Sequence, residues 1–329
     1  MIKPFPWQIK QWDHLQSAYA QNRLPHALLL AGPAGIGLQQ FSFSFAAALL
    51  CIESRGDGHA CGICKSCHLL QAGTHPDLLS IQPEETGKQI KVDMVRELVG
   101  FIQNKSQFGN YKLAIIDPAE AMNRSAANGL LKTLEEPPAD SVLILLTEKS
   151  ALLPITIRSR CQKIDFPVSN QKDSLDWLQG RLGADADAAQ LLSLAQGAPL
   201  KAIEIQESDQ LEQQLELLRD LKSLREQRCD VVKLAEKWLA WDALLVFMHL
   251  LNFFNMMSRI KLGIDSDNSS VHKHLQGILK GLDLVQLIRC YDLLLRHYNA
   301  VRGPTSLNKQ GLLEDFIIYW QKLAGQNRG

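Results

Sequence analysis

HALLLAGPAGIGLQQ, His26 to Gln40, decides the architecture of the first half of this 329-residue chain. An apolar run ends at Gly32, Gly35 and Gly37 follow, and a helical pattern resumes through FSFSFAAALL. That order reads as a strand, a glycine-rich turn and a helix, the setting of a phosphate-binding loop. In a working loop, backbone N–H groups and a helix N-terminus hold phosphates, a Lys neutralises the β/γ oxygens and a Ser or Thr ligates Mg²⁺. Here Leu38 stands where the Lys belongs and Gln39 where the hydroxyl belongs. The cradle is kept and its cation and hydroxyl are gone.

Outward from that loop the same alternation continues. DLLSIQ, KLAIID and SVLILLT read as strands, and VDMVRELVGFIQ and SAANGLLKTLEE as helices between them. Short apolar runs separated by longer helical periods predict a parallel sheet covered by helices, with SVLILLT as its last strand. After Phe166 the strands stop. DSLDWLQGRL, AAQLLSLAQGA and LKAIEIQE form a small helical unit, and from about residue 209 the helices lengthen, as in LEQQLELLRDLKSLRE, DALLVFMHLLNFFNMMSRIK and LVQLIRCYDLLLRHYNAVR. This predicts three parts: 1–167, 168–208 and 209–329. LGIDSDNSS, Leu262 to Ser270, reads as a connection between helices.

The second half of an ATPase site is a strand ending in an acid that orients Mg²⁺, followed by a Glu that prepares the attacking water. KLAIIDPAE ends in Asp117, but Pro118 follows, and Glu120 lies further on. Two positions of one catalytic site are altered together. That favours a nucleotide-binding fold without hydrolysis.

CIESRGDGHACGICKSC places Cys51, Cys61, Cys64 and Cys67 in a C-x9-C-x2-C-x2-C arrangement. Two successive C-x2-C steps present sulfurs to one tetrahedral ion, and four thiolates leave no open position, so the expected site is structural zinc. An iron–sulfur cluster uses similar ligands and stays open as an alternative. His59, His68 and His75 read as surplus loop residues, and Cys161, Cys229 and Cys290 as ordinary buried thiols.

Composition bounds the partners. Lys plus Arg equals Asp plus Glu at 35 each, which removes any global electrostatic reason for the chain alone to coat nucleic acid or an anionic membrane. The N-terminus MIKPFPWQIKQW has the character of neither a signal peptide nor a membrane helix, and runs such as LLVFM and VLILL fall far short of the roughly 20 residues a span requires. A cytoplasmic protein is expected, in which cysteines serve metal or stay free.

TIRSRCQKIDF, Thr156 to Phe166, reads from spacing alone as a solvated basic turn, although an exposed Arg there can also serve a neighbour's phosphate. The wider pattern shifts that balance. HALLLAGPAGIG, the four-Cys insert, CHLLQAGTHPDLLSIQPE, NGLLKTLEEPPADSVLILLT and IRSRC occur in one order over most of residues 5 to 167. Together they resemble the AAA+ clamp-loader family, in particular the delta prime subunits of bacterial DNA polymerase III.

The resemblance implies a RecA-like AAA+ module with a zinc insert at 51–67, a helical lid and an all-helical collar that oligomerises with other subunits. It implies gamma/tau-type motor and delta subunits as partners, with the sliding clamp and primer-template DNA reached through the complex, and no membrane. Ser159, Arg160 and Cys161 match the family's SRC motif, which makes Arg160 an arginine finger acting in trans and Arg158 its nearest confounder. Thr147, before Glu148, falls where relatives keep a polar sensor. Leu200 stands where active relatives have a lid Arg, with Lys201 beside it. No ATP site of its own is therefore expected. The competing readings are an active AAA+ motor, opposed by Leu38 and Gln39, and a zinc-dependent nucleic-acid-binding module, opposed by zero net charge.

Overall fold

A computed structural model of the chain describes all residues except 1–2, 54–55, 57, 86, 109–110, 169–170, 184–185, 209, 227–228, 265–268, 304–306 and 326–329. The predicted loop at Leu262 to Ser270 thus lies partly outside the described residues; Ser269 caps the helix that follows it. Two compact units emerge: Met1–Trp177 with Ala198–Lys201, and Leu178–Gly197 with Ala202–Gly329. The segment expected as a separate lid, 168–208, is divided between them.

The first unit is built on five parallel strands: β1 (Ala27–Ala31), β2 (Leu78–Ile81), β3 (Lys112–Ile116), β4 (Ser141–Thr147) and β5 (Gln162–Asp165), in the order β2-β3-β4-β1-β5. β4 is therefore not the last strand. β5 lies inside the stretch read as a basic turn and pairs with β1, Leu28 opposite Gln162. Its sequence QKID has one buried residue, Ile164, because an edge strand with one covered face carries little of the apolar signal that reveals a central one.

Central strands are buried throughout, and alternate residues feed different cores. Leu28, Leu30, Leu113, Ile115, Ile144 and Leu146 face one side with Trp12 and Leu15 of α1 (Ile9–Ala20) and Phe41, Phe45 and Leu49 of α2 (Leu38–Leu50). Ala27, Leu29, Ala114, Ile116, Leu143 and Leu145 face the other with α4 (Val92–Gln103) and α5 (Arg124–Glu135). The two-residue strand period is what distributes one chain between two cores. At roughly 1.5–3 kcal/mol per fully buried aliphatic side chain, these layers hold the loops at the strand ends in place. Helix α3 (Lys65–Gln71) follows the cysteine cluster, α6 (Ile155–Arg158) precedes β5, and α7 (Gln171–Leu182), α8 (Ala188–Leu194) and α9 (Pro199–Glu207) follow the sheet.

The second unit is all helical, with α10 (Gln210–Glu226), α11 (Val231–Leu239), α12 (Ala243–Lys261), α13 (Ser270–Ile278), α14 (Leu284–Arg302) and α15 (Lys309–Gly325). Its core gathers Trp238, Phe247, Phe254, Phe316 and Trp320, and Arg225 donates to the carbonyls of Ile278 (2.7 Å) and Lys280 (3.0 Å). By length and composition α12 could cross a membrane, although no single apolar run in the sequence suggested it. Within the fold it is a core helix, with Phe247, Leu250, Phe254 and Met257 fully buried.

Candidate functional site

The glycine loop between β1 and α2 has the backbone of a phosphate cradle. Gly35 and Gly37 sit at φ +76° and +86°, which side chains rarely adopt, and Gly37 caps α2. Other parts of the same unit pack against the loop and bond to its carbonyls. A Cβ on Gly35 would meet the Lys201 Cβ at 2.6 Å, and one on Gly37 would meet the Phe5 ring at 2.7 Å. Leu200 N–H donates to the Gly35 carbonyl (3.1 Å), Trp7 Nε1 to the Ile36 carbonyl (2.9 Å), and Gln8 Nε2 to the carbonyls of Ile36 (2.9 Å) and Gly37 (3.0 Å). Phe5 stacks on Trp7, and both meet Trp177 edge-on. Gly32 at the head of the loop uses its N–H on the Thr147 carbonyl (3.1 Å). The clasp made by Phe5, Trp7 and Gln8 was not legible beforehand, because nothing in MIKPFPWQ gives the distance to a loop some 30 residues on.

Leu38 is buried in the core shared by α1 and α2. Gln39 reaches across to the strand-end acid: its Nε2 donates to Asp117 Oδ2 (3.2 Å), with Gln82 donating to the same oxygen (3.4 Å). The residue that replaces the magnesium-holding hydroxyl is thus bonded to the acid that would orient the ion. Burial and the nearby Glu120 carboxylate raise Asp117 above the usual carboxylate range, and the same two causes raise Glu148. Glu120 faces away from a water-activating role. Its Oε1 accepts from the backbone N–H groups of Glu148 (3.1 Å) and Lys149 (3.2 Å) at the exit of β4. Thr147 is buried, and its Oγ1 accepts from Lys149 N–H (3.1 Å).

Arg160 lies on the turn between α6 and β5. Nη2 pairs with Glu135 Oε1 at 2.6 Å and Nη1 donates to the Thr156 carbonyl at 2.9 Å. Ser159 is exposed, and its Oγ donates to the same carbonyl (3.3 Å). Arg158 is half-buried, with its Nε enclosed and without a hydrogen-bond partner among the described residues. Leu152 and Ile155, a few residues earlier in the chain, are 67% and 66% exposed.

Cys51, Cys61, Cys64 and Cys67 converge with all four Sγ atoms within 4.8 Å of one another. The Sγ separations are 3.8 Å (Cys61–Cys67 and Cys51–Cys67) and 4.0 Å (Cys51–Cys64). Those values are far beyond a disulfide of about 2.05 Å. They match the edge of roughly 3.8 Å of a tetrahedron with metal–sulfur bonds near 2.3 Å. Each sulfur accepts at least one backbone N–H: Cys51 from Cys61 (3.3 Å), Cys61 from Cys64 (3.3 Å), Cys64 from Cys67 (3.4 Å) and Cys67 from Gly62 (3.3 Å). Burial pushes the Cys51 and Cys67 thiols up, while the N–H groups of Ile63 and Cys64 bring Cys61 down to about 6. A divalent cation overrides such differences by deprotonating its ligands. The donor set and its spacing fit one ion.

Two expectations about neighbouring residues are corrected. His75 is a buried strut, not a surplus loop residue: its Nδ1 accepts from Asp77 N–H (3.0 Å) and its Nε2 meets Ser66 Oγ (2.9 Å), which donates to the Leu50 carbonyl (2.7 Å). His59 stacks on Trp12 with ring centroids 4.9 Å apart. Of the remaining cysteines only Cys290 is fully buried, its thiol pushed up to about 12; Cys161 and Cys229 are half-buried.

The sheet, the glycine loop and the strand-end acid define an AAA+-type nucleotide-binding fold whose glycine loop is held by carbonyl contacts from the same unit. Residues 7–170 match a family model described as DNA polymerase III, delta subunit. A DNA polymerase III subunit delta' from Pseudomonas aeruginosa is 37% identical over 330 residues, 99% of each chain, and one from Bacillus subtilis is 31% identical over 94% of each. A tau/gamma subunit from Haemophilus influenzae is 36% identical over 153 residues, 45% of this chain and 22% of its own. A solved gamma subunit-related protein from Thermotoga maritima superposes with TM-score 0.45 at 19% identity, covering 95% of this chain and 99% of its own. The chain belongs to the DNA polymerase III subunit delta' family of clamp-loader proteins.

Proposed function

We propose that this chain is a non-hydrolysing clamp-loader subunit, a rigid AAA+ partner that supplies Arg160 in trans to an ATP site on an adjacent gamma/tau-type motor subunit. The observation that carries the reading is the Gln39–Asp117 hydrogen bond, which joins the two altered halves of the nucleotide site to each other. Metal-assisted phosphoryl transfer needs that acid free for Mg²⁺ and a cation on the phosphates, and this loop offers neither.

Arg160 supports the second half of the reading. A planar guanidinium suits the equatorial oxygens of a transferring phosphoryl group, and the exposed Leu152 and Ile155 a few residues earlier suit a surface covered by another protein. In this reading residues 168–208 act as a lid, 209–329 as the collar, and the four cysteines hold structural zinc. The partners are the motor, a delta-type subunit and, through the assembly, the sliding clamp and primer-template DNA, in the cytoplasm and without a membrane.

The test is reconstitution with gamma/tau-type and delta-type subunits and measurement of clamp-dependent ATPase and clamp loading. Arg160→Ala leaves assembly intact and reduces turnover at the site it serves by roughly 10³- to 10⁵-fold, diluted in the complex by the other ATP sites. Arg160→Lys does not restore it, because a point ammonium lacks the planar fork. Arg158→Ala controls for basic charge in the same turn. Wild-type loading by assembled Arg160→Ala complexes would reduce the chain to a scaffold, and a defect confined to Arg158→Ala would move the assignment to that residue.

A further inference from the structure

Glu135 is the last residue of α5, where the negative end of the helix dipole disfavours a carboxylate and a cation is the stabilising choice. Its position is therefore not explained by the helix it ends. Its contact is across the chain: Oε1 pairs with Arg160 Nη2 at 2.6 Å, 25 residues away in sequence. Arg160 Nη1 is held separately by the Thr156 carbonyl at 2.9 Å.

A pair this open, with side chains 35% and 51% exposed, contributes little to stability. Its geometric effect is larger. An unheld Arg side chain samples many rotamers, and one bond to each terminal nitrogen fixes both the reach and the plane of the fork. Nε–H and the remaining terminal hydrogens stay available. A group that stabilises charge in a transition state acts best when it is already in place and does not reorganise as charge develops. The flanking Leu152 and Ile155 belong to the surface that a partner would cover, and covering it lowers the local dielectric and strengthens the pair.

We propose that Glu135 is a positioning residue for Arg160, holding the guanidinium in the plane and reach in which it meets a phosphoryl group on a neighbouring subunit. The inference rests on the reading of Arg160 as a trans-acting cation. Glu135 touches no substrate; it acts through the arginine alone. Glu136, one residue on, carries the same charge and has no such contact among the described hydrogen bonds and ion pairs, which makes it the natural control.

The experiment uses the full chain assembled with gamma/tau-type and delta-type subunits, reading kcat and KM of clamp-dependent ATP turnover. Glu135→Gln, nearly isosteric, and Glu135→Ala lower kcat at the affected site by roughly two- to tenfold, the lower part of the range of coupling between contacting residues. KM for ATP and assembly stay unchanged, and Glu136→Gln behaves as wild type. In an Arg160→Ala background, Glu135→Ala has no further effect, because its only route to the reaction has been removed. That non-additivity is the readout a merely structural role would not produce. Wild-type kcat in both Glu135 variants, a rise in kcat, or a further fall in the Arg160→Ala background overturns the inference. If Arg160→Ala is itself silent, the trans-acting reading fails and this one with it; if Arg160→Ala is impaired and Glu135→Gln is not, positioning alone fails.

Discussion

Asp117 shows what the altered nucleotide site costs the fold at the scale of one residue. Burial and the Glu120 charge raise its carboxyl, so the folded state binds its proton more tightly than the unfolded chain does. Its contribution to stability is therefore largest below the unfolded value of about 3.9 and is lost as pH rises through the folded value. Near pH 7 the ionised group is a net strain on the fold. Asp117→Asn, whose amide oxygen can still accept from Gln39, should melt higher than wild type at pH 7, with the gain shrinking toward pH 4. Thermal unfolding at the two pH values checks this, and a lower melting temperature at pH 7 would count against it. The sequence showed that Leu38, Gln39 and Pro118 depart from an active pattern, because each departure is local. It did not show that Gln39 and Asp117 bond to each other, nor that Glu135 meets Arg160, because those contacts depend on strands paired across the sheet.

Among elements, β2 is an edge strand with three of its four residues only partly covered, and a buried charge pair helps to fix it to β3. Asp77, at its entrance, accepts from Gln107 N–H (2.8 Å), Phe108 N–H (3.0 Å) and Lys112 Nζ (3.1 Å), and Lys112 also lies 4.2 Å from the Phe101 ring centre. Burial alone would raise Asp77, but those donors outweigh it and hold the carboxyl below its ordinary range. Its stabilisation is thus present above the unfolded value and lost as pH falls through the folded one. Asp77→Ala strands a buried ammonium and should cost about 3–5 kcal/mol in denaturant unfolding; a loss below 1 kcal/mol would mean that water reaches Lys112. The cysteine turn is the other element held by more than packing. Purified protein should carry about one zinc, and Cys64→Ser should lower that content and increase amide exchange around 61–67 while leaving the sheet protected. Iron with acid-labile sulfide in place of zinc would replace the assignment. Strands β1, β3 and β4 were readable because a run buried on both faces is apolar throughout, β2 because three of its four residues are still apolar, and the C-x2-C steps because ligand geometry dictates spacing. β5 was hidden by its exposed face, and His75 by a role that appears only once Ser66 is folded against it.

At the scale of the whole molecule, the chain retains a nucleotide-binding architecture while several separate features oppose its use. The isolated protein should show no ATP turnover above background, and a single restored lysine should not change that. Leu38 is only 8% exposed, within the core of α1 and α2, so Leu38→Lys places an ammonium among aromatic and aliphatic side chains rather than on a phosphate. The loop it would serve is still clasped by Lys201, Phe5, Trp7 and Gln8, and Asp117 is still bonded to Gln39. The substitution should therefore destabilise the protein by roughly 0.5–3 kcal/mol and leave turnover at background. Transition-state stabilisation comes from groups acting together, and replacing one while the acid is engaged and the hydroxyl is missing restores none of the coupled effect. Leu38→Lys/Gln39→Thr is the sharper variant, since it also removes the Gln39 bond from Asp117 and leaves only the longer one from Gln82. If that double variant, purified away from motor subunits, hydrolyses ATP in proportion to its own concentration, the cradle is accessible to nucleotide and the internal clasp is not what silences it. If it remains inactive until Phe5, Trp7 and Gln8 are also replaced, the clasp is a barrier independent of the missing lysine and hydroxyl.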